Sequence, residues 1–143
     1  MFAIKQISAE KGRGAVATRD IKTGEILDIA HVIILTAKEF EQIENTVLYN
    51  YVFDWGDPYD SNVNTLAIAM SPCEFFNHSY TPNACYKHDY EQKAIFFSAI
   101  KDIKKGEEIL INYNCQPGDK SPLWFSVSDA PQSTCREMVP TKI

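Results

Sequence analysis

The chain has only four cysteines in 143 residues, at positions 73, 85, 115 and 135. They are too few and too scattered to read as a disulfide framework. No run of Lys or Arg is present: 14 basic residues are dispersed among 19 acidic ones, for a net charge of −5. A nucleic-acid binder would show a basic patch or stripe, so no direct nucleic-acid partner is expected. No stretch approaches the roughly 20 apolar residues of a membrane span, so no membrane partner is expected either. Residues 1–14 carry Lys5, Glu10, Lys11 and Arg13 and lack the apolar core of a signal peptide. These absences together point to an intracellular protein with reduced thiols. Cytoplasm, nucleus, or the interior of a host cell for a viral or intracellular bacterial source all fit.

What is present is ordinary globular composition, 45% hydrophobic and 23% charged, at a length that suits one domain. The acidic balance serves solubility and suits a basic partner. Most of the chain reads as short strands: residues 16–18 after a Gly-Arg-Gly turn, 25–34, 66–70, 94–100 and 109–113. Thr36-Ala37-Lys38-Glu39 is a capping box, followed by Phe40, Ile43 and Val47 on one helical face. The aromatic, β-prone residues 48–55 should end that helix. Asp20-Ile21-Lys22-Thr23-Gly24-Glu25 echoes Asp102-Ile103-Lys104-Lys105-Gly106-Glu107. Each copy reads as strand, polar turn and strand, with Gly24 and Gly106 at positive φ. From residue 116 onward Pro, Gly, Ser and Asp dominate. The expected division is a catalytic domain over 1–115 and a partly flexible tail over 116–143, anchored by aromatics.

Three segments carry chemistry. Gly12-Arg13-Gly14 lets backbone turn and approach another group closely. Asn77-His78-Ser79, with Pro82-Asn83, sets donors and acceptors behind an aromatic pair. Nothing marks Ser79 as activated, so a hydrolase triad is not supported. Glu107-Glu108-Ile109 leads a strand that ends at Tyr113.

In that order and spacing, the three segments resemble the G-x-G, N-H-S-x-x-P-N and E-E-(L/I)-x-x-x-Y motifs of SET-domain protein lysine methyltransferases. The resemblance runs from Phe2 to Tyr113. It implies a mainly β, SET-type fold of small curved sheets with one short helix, whose C-terminal segment threads under an earlier loop as a pseudoknot. It further implies S-adenosylmethionine as cofactor and a protein or peptide bearing lysine as substrate, a histone or other basic protein among the options. Tyr113 matches the catalytic tyrosine, and Tyr51 and Tyr86 resemble tyrosines of a lysine channel. Lys11, Gly12, Arg13 and Gly14 would take the methionine end of the cofactor, and Asn77 and His78 its adenosine. Trp124 or Phe125 is a candidate to cover the adenine face by stacking. A binding module that keeps the fold without turnover is the alternative. Some minimal relatives act as dimers, and a homodimer is compatible with this chain.

The chain also departs from the family pattern. Tyr80 stands where many relatives carry a zinc-binding cysteine, and Cys115 and Cys135 lack C-x-C spacing. Cys85 and His88 supply only two of the four ligands a structural zinc needs, so no metal is expected. Closure of the lysine channel then falls to packing by Leu123-Trp124-Phe125. Hydroxyls from Tyr51 and Tyr86 would crowd the channel and favour mono- or dimethylation.

Overall fold

The structure is a computed structural model that describes residues 1–56 and 65–123. Among these residues, nine strands form two curved sheets. β1 (Phe2–Ser8), β2 (Gly12–Ala17), β9 (Glu108–Ile111) and β6 (Asn77–His78) make a four-stranded sheet in that order. β4 (Val52–Asp54), β5 (Leu66–Ala69), β3 (Ile26–Leu35), β8 (Ala94–Ala99) and β7 (Ala84–Asp89) make the other. The Ile- and Val-rich β3 is long enough to pair with β8 through its first half and β5 through its second.

One α-helix is described, α1 (Ala37–Ile43). The expected capping box forms at its start: Thr36 accepts from the Glu39 N–H, and Glu39 accepts from the Thr36 N–H at 2.9 Å. The helix ends before Leu48, as expected, and buries none of its residues. Val47 is not on its face; it begins a 3-10 helix, Val47–Tyr51, and is 68% exposed. The β-prone residues 48–55 thus split between that 3-10 turn and β4. No helix among the described residues is long and apolar enough to cross a membrane.

Two expectations need correction. Gly12-Arg13-Gly14 is not a turn before a strand but the first half of β2, paired with β1 from Gly12 to Ala17. Only Gly12 has positive φ, +71°, where the chain enters the strand. Strands β1 and β7 also have no counterpart among the sequence expectations. Both are edge strands of their sheets without clean alternation: β1 is largely open, and β7 is buried at Ala84, Cys85 and Tyr86 and more open beyond.

The core sits where the sheets meet. Small residues (Ala15, Ala17, Ala30, Ala67, Ala69, Ala84, Ala99) let the sheets approach, and Phe53, Phe76 and Phe97 fill the space between. Phe76 meets Phe97 edge-on at 5.7 Å and Phe2 at 5.1 Å, so one ring ties both sheets together. The two repeat copies dock on one another. Ile21 and Ile103 exchange backbone hydrogen bonds at 2.8 and 2.9 Å. Gly24 and Gly106 have φ of +88° and +91°, as their turn chemistry required.

Candidate active site

β9 enters between β2 and β6, antiparallel to the first and parallel to the second. That placement gathers the three motif segments at one spot, and Asn77 is where they meet. Its Nδ2 donates to the Glu108 carboxylate at 2.7 Å and to the Arg13 carbonyl at 3.2 Å. Lys11 Nζ lies 3.4 Å from the other Glu108 oxygen. Gly14 makes this possible by having no side chain. A Cβ there would sit 2.6 Å from Asn77 Nδ2 and 2.7 Å from both Glu108 Oε1 and Ile7 Cγ1. At Gly12, by contrast, the space is open.

A second set of contacts fixes Tyr113. Its backbone N–H donates to His78 Nδ1 at 3.0 Å, so Nδ1 is an acceptor and a neutral ring carries its proton on Nε2. The Tyr113 hydroxyl donates to the Phe76 carbonyl at 2.9 Å. Burial raises the phenol well above its ordinary range, and the negative charge of Glu74 adds to this, followed by Tyr51 and Glu108. The hydroxyl therefore stays protonated across the physiological range. Tyr86 is also buried, and its hydroxyl donates to the Tyr113 carbonyl at 3.3 Å. Tyr51, on the 3-10 helix, meets Phe75 edge-on at 6.2 Å. The Arg13 guanidinium lies 4.5 Å from the centre of the same Phe75 ring.

Beyond β9 the chain is fastened to the loop after His78. Tyr80, 2% exposed, donates its hydroxyl to the Ser121 carbonyl at 2.9 Å. Lys120 Nζ donates to the Tyr80 carbonyl at 2.5 Å. Asn112 donates to the Asp119 carbonyl at 2.6 Å and accepts from the Asn114 N–H at 3.0 Å. Asn114 in turn donates to the Ser121 carbonyl at 2.7 Å. Leu123 packs against the core. Trp124 and Phe125 lie outside the described residues. Among those that are described, no three His, Cys, Asp or Glu side chains come together as metal ligands. His88 Nε2 is 2.8 Å from the Asp54 carbonyl, and Cys85 Sγ is 3.5 Å from Ser98 Oγ.

Lys11, Gly12, Arg13 and Gly14 thus converge with Asn77, and Tyr86 and His78 converge on Tyr113. Tyr51 reaches the group through its edge-on contact with Phe75. Several residues of the site were not singled out from sequence. Glu108 lay inside a quoted motif without a role of its own. Asn83 donates to the Glu108 carbonyl at 2.9 Å and accepts from Leu110 N–H at 2.8 Å, holding β9 in place. Asn112 binds a partner made later in the chain, as does Tyr80, which the sequence marked only as a departure from the zinc-binding pattern.

The SET domain family matches residues 12–114. A histone-lysine N-methyltransferase of Schizosaccharomyces pombe, specific for lysine-37 of H3, is 31% identical over 116 residues, 80% of this chain and 71% of that protein. Two solved structures share the fold. A candidate histone methyltransferase of Plasmodium falciparum gives a TM-score of 0.62 at 24% identity, over 78% of this chain and 91% of that one. Polycomb repressive complex 2 of Chaetomium thermophilum, in an autoinhibited conformation bound to S-adenosylmethionine, gives 0.64 at 24% identity, over 78% of this chain and 15% of that one. The chain belongs to the SET domain family. Its reaction is S-adenosylmethionine-dependent methylation of a lysine side chain on a protein.

Proposed function

We propose that the chain methylates a lysine of a histone or similarly basic protein, with Tyr113 as the catalytic residue and Tyr51 and Tyr86 as walls of the lysine channel. The observation that carries this is the convergence of all three motif segments on Asn77, one strand away from the buried Tyr113 hydroxyl. The substrate class is that of the fission-yeast relative, which acts on H3. Residues 1–115 form the catalytic domain in this reading, and 116–143 a tail that completes the site, with Trp124 or Phe125 against the adenine. Three free thiols among the described residues, Cys73, Cys85 and Cys115, agree with a reducing intracellular setting.

The donor set fits the cofactor. Its amino-acid end carries one ammonium and one carboxylate, and Glu108, Lys11 and Arg13 offer both signs beside the open face of Gly12. Asn77 and His78 follow on β6, where backbone groups would hold the adenosine. Bound there, S-adenosylmethionine supplies an electrophilic methyl group. The residues of the chain do the rest. A lysine with an ordinary pKa near 10.4 must shed a proton before it can attack, and a buried, tyrosine-walled channel favours the neutral amine. The protonated Tyr113 hydroxyl shapes and orients the site without acting as a base. Alignment in a narrow channel accounts for the remaining advantage.

Calorimetry with S-adenosylmethionine and labelled methyl transfer to mixed histones test this reading. Binding, and transfer that falls on the order of 10²-fold in Tyr113→Phe, are expected. Binding without transfer would favour a peptide-binding module instead. Equal activity in wild type and Tyr113→Phe would refute the role given to Tyr113.

A further inference from the structure

The segment after β9 closes on the site through one tyrosine. Tyr80 is buried, and a buried tyrosine hydroxyl usually finds a partner. That partner is the Ser121 carbonyl, at 2.9 Å. The neighbouring Lys120 grips the same residue: its Nζ donates to the Tyr80 carbonyl at 2.5 Å and lies 5.7 Å from the centre of the ring. A carbonyl oxygen has two lone pairs, and the Ser121 oxygen takes a second donor, Asn114 Nδ2, at 2.7 Å. One atom of the segment thus joins the loop after β6 to the chain just past Tyr113. Inward, the Tyr80 ring meets the His78 ring edge-on, with centres 4.4 Å apart and planes at 85°. His78 Nδ1 then receives the Tyr113 N–H at 3.0 Å, and those two rings lie 5.3 Å apart. Ser121, Tyr80, His78 and Tyr113 therefore stand in one unbroken line of contact.

We propose that Tyr80 is a positioning residue for the cofactor: it latches residues 117–121 to His78, so that closing this latch and binding S-adenosylmethionine favour one another. It rests on the methyltransferase reading, in which His78 flanks the adenosine. A ring packed between Tyr80 and Tyr113 keeps one orientation, and a wall that is already ordered costs the ligand less to bind against. The reverse follows by linkage: whatever the latch adds to cofactor affinity, the cofactor adds to the latch. The segment is stiff enough to act as one piece. The Pro117 and Asp119 carbonyls accept Asn112 Nδ2 at 3.4 and 2.6 Å, and the Asp119 carboxylate accepts the Ser121 N–H at 2.7 Å. The Asp119 N–H in turn donates to the Gln116 carbonyl at 3.0 Å. The contacts to Tyr80 come from two adjacent residues of this stiffened turn, so they form and break together.

The test compares wild type with Tyr80→Phe, which keeps the ring against His78 and removes the hydroxyl, and with Lys120→Met, which keeps the stem and removes the donor. Calorimetry should find S-adenosylmethionine bound about ten-fold more weakly by Tyr80→Phe, the worth of one hydrogen bond. The KM for a histone-tail peptide should not move. Lys120→Arg should restore what Lys120→Met loses, and the double variant should lose less than the two singles together, because both cut one latch. Amide exchange supplies a readout that plain fastening of the segment would not move. In wild type, saturating S-adenosylmethionine should slow exchange of the Asp119 and Ser121 amides by about ten-fold, and in Tyr80→Phe by much less. A folded Tyr80→Phe protein with wild-type cofactor affinity overturns the proposal, as does a cofactor-bound wild type whose exchange at Asp119 and Ser121 is unchanged. If Tyr80→Phe does not fold, Lys120→Met and the wild-type exchange decide in the same way. Wild type that binds no S-adenosylmethionine would refute the methyltransferase reading itself, a result distinct from these.

Discussion

Asp20 and Asp102 each hold the turn that follows the other. Asp102 accepts the Thr23 N–H at 2.9 Å and the Lys22 ammonium at 2.9 Å. Asp20 accepts the Lys105 N–H at 2.9 Å and the Lys104 ammonium at 3.3 Å. The backbone follows the same exchange, with Gly24 N–H on the Ala99 carbonyl and Gly106 N–H on the Ala17 carbonyl, both at 2.8 Å. The repeat seen in the sequence is thus one interlocked joint between its two copies.

That joint should make the fold acid-sensitive. Backbone hydrogen bonds, then the lysine partners, hold Asp20 and Asp102 below the usual aspartate range. A carboxylate with a depressed folded pKa stabilises above its unfolded pKa, near 4, and that contribution is lost as pH falls through the folded value. Asp102→Asn should lower the melting temperature at pH 7, and the gap to wild type should be narrower, though still present, at pH 3. Thermal scans at both pH values check this.

Gly14→Ala should break the meeting of the motifs. The new Cβ falls within 2.7 Å of three side-chain atoms, so Asn77 and Glu108 must part or β2 must shift. Overpacking of this kind costs about 1–3 kcal/mol. Chemical denaturation should show that loss, and calorimetry should show S-adenosylmethionine affinity falling with it. Gly12→Ala meets no atoms and suffers only from its positive φ, so its effect on affinity should be smaller.

Removing the Tyr86 hydroxyl should change the product under the proposed role of Tyr86 as a channel wall. Tyr86→Phe deletes the bond to the Tyr113 carbonyl and leaves room at the walls. The expected result is a shift toward higher methylation states, read by mass spectrometry of the peptide. An unchanged product distribution would remove Tyr86 from the channel.

The tail contacts predict a local weak point. Asn112 is 2% exposed and serves the Asp119 carbonyl and the Asn114 N–H at once. Asn112→Ala would strand those groups, at about 1–3 kcal/mol. Hydrogen exchange should show protection lost first around residues 112–121, ahead of the core strands.

The strands read from sequence were those with apolar runs: residues 66–70, 94–100 and 25–34 fall on β5, β8 and β3 within a residue or two. Thr36 and Glu39 marked their helix because a capping box is local chemistry. Edge strand β1 buries too little of either face to leave a period, and β7 buries both faces of its first half, Ala84 to Tyr86, and so does not alternate either. The motifs named Asn77, His78 and Tyr113 as a group, yet no local pattern showed that Asn77 would bridge Arg13 to Glu108. Nor could it show that Tyr80 would meet Ser121, 41 positions away. Glu74 drew no reading from the sequence, and the structure buries it with its carboxylate accepting the Ala69 N–H.

The insertion of β9 between β2 and β6 also bears on how the chain is made. A ribosome releases β2 and β6 long before residues 108–111 exist. Until then each presents an unfilled edge, the kind of surface on which nascent chains pair with the wrong neighbour. Translation speed and chaperone access during that interval, more than the stability of the finished domain, should therefore govern how much soluble protein a cell obtains.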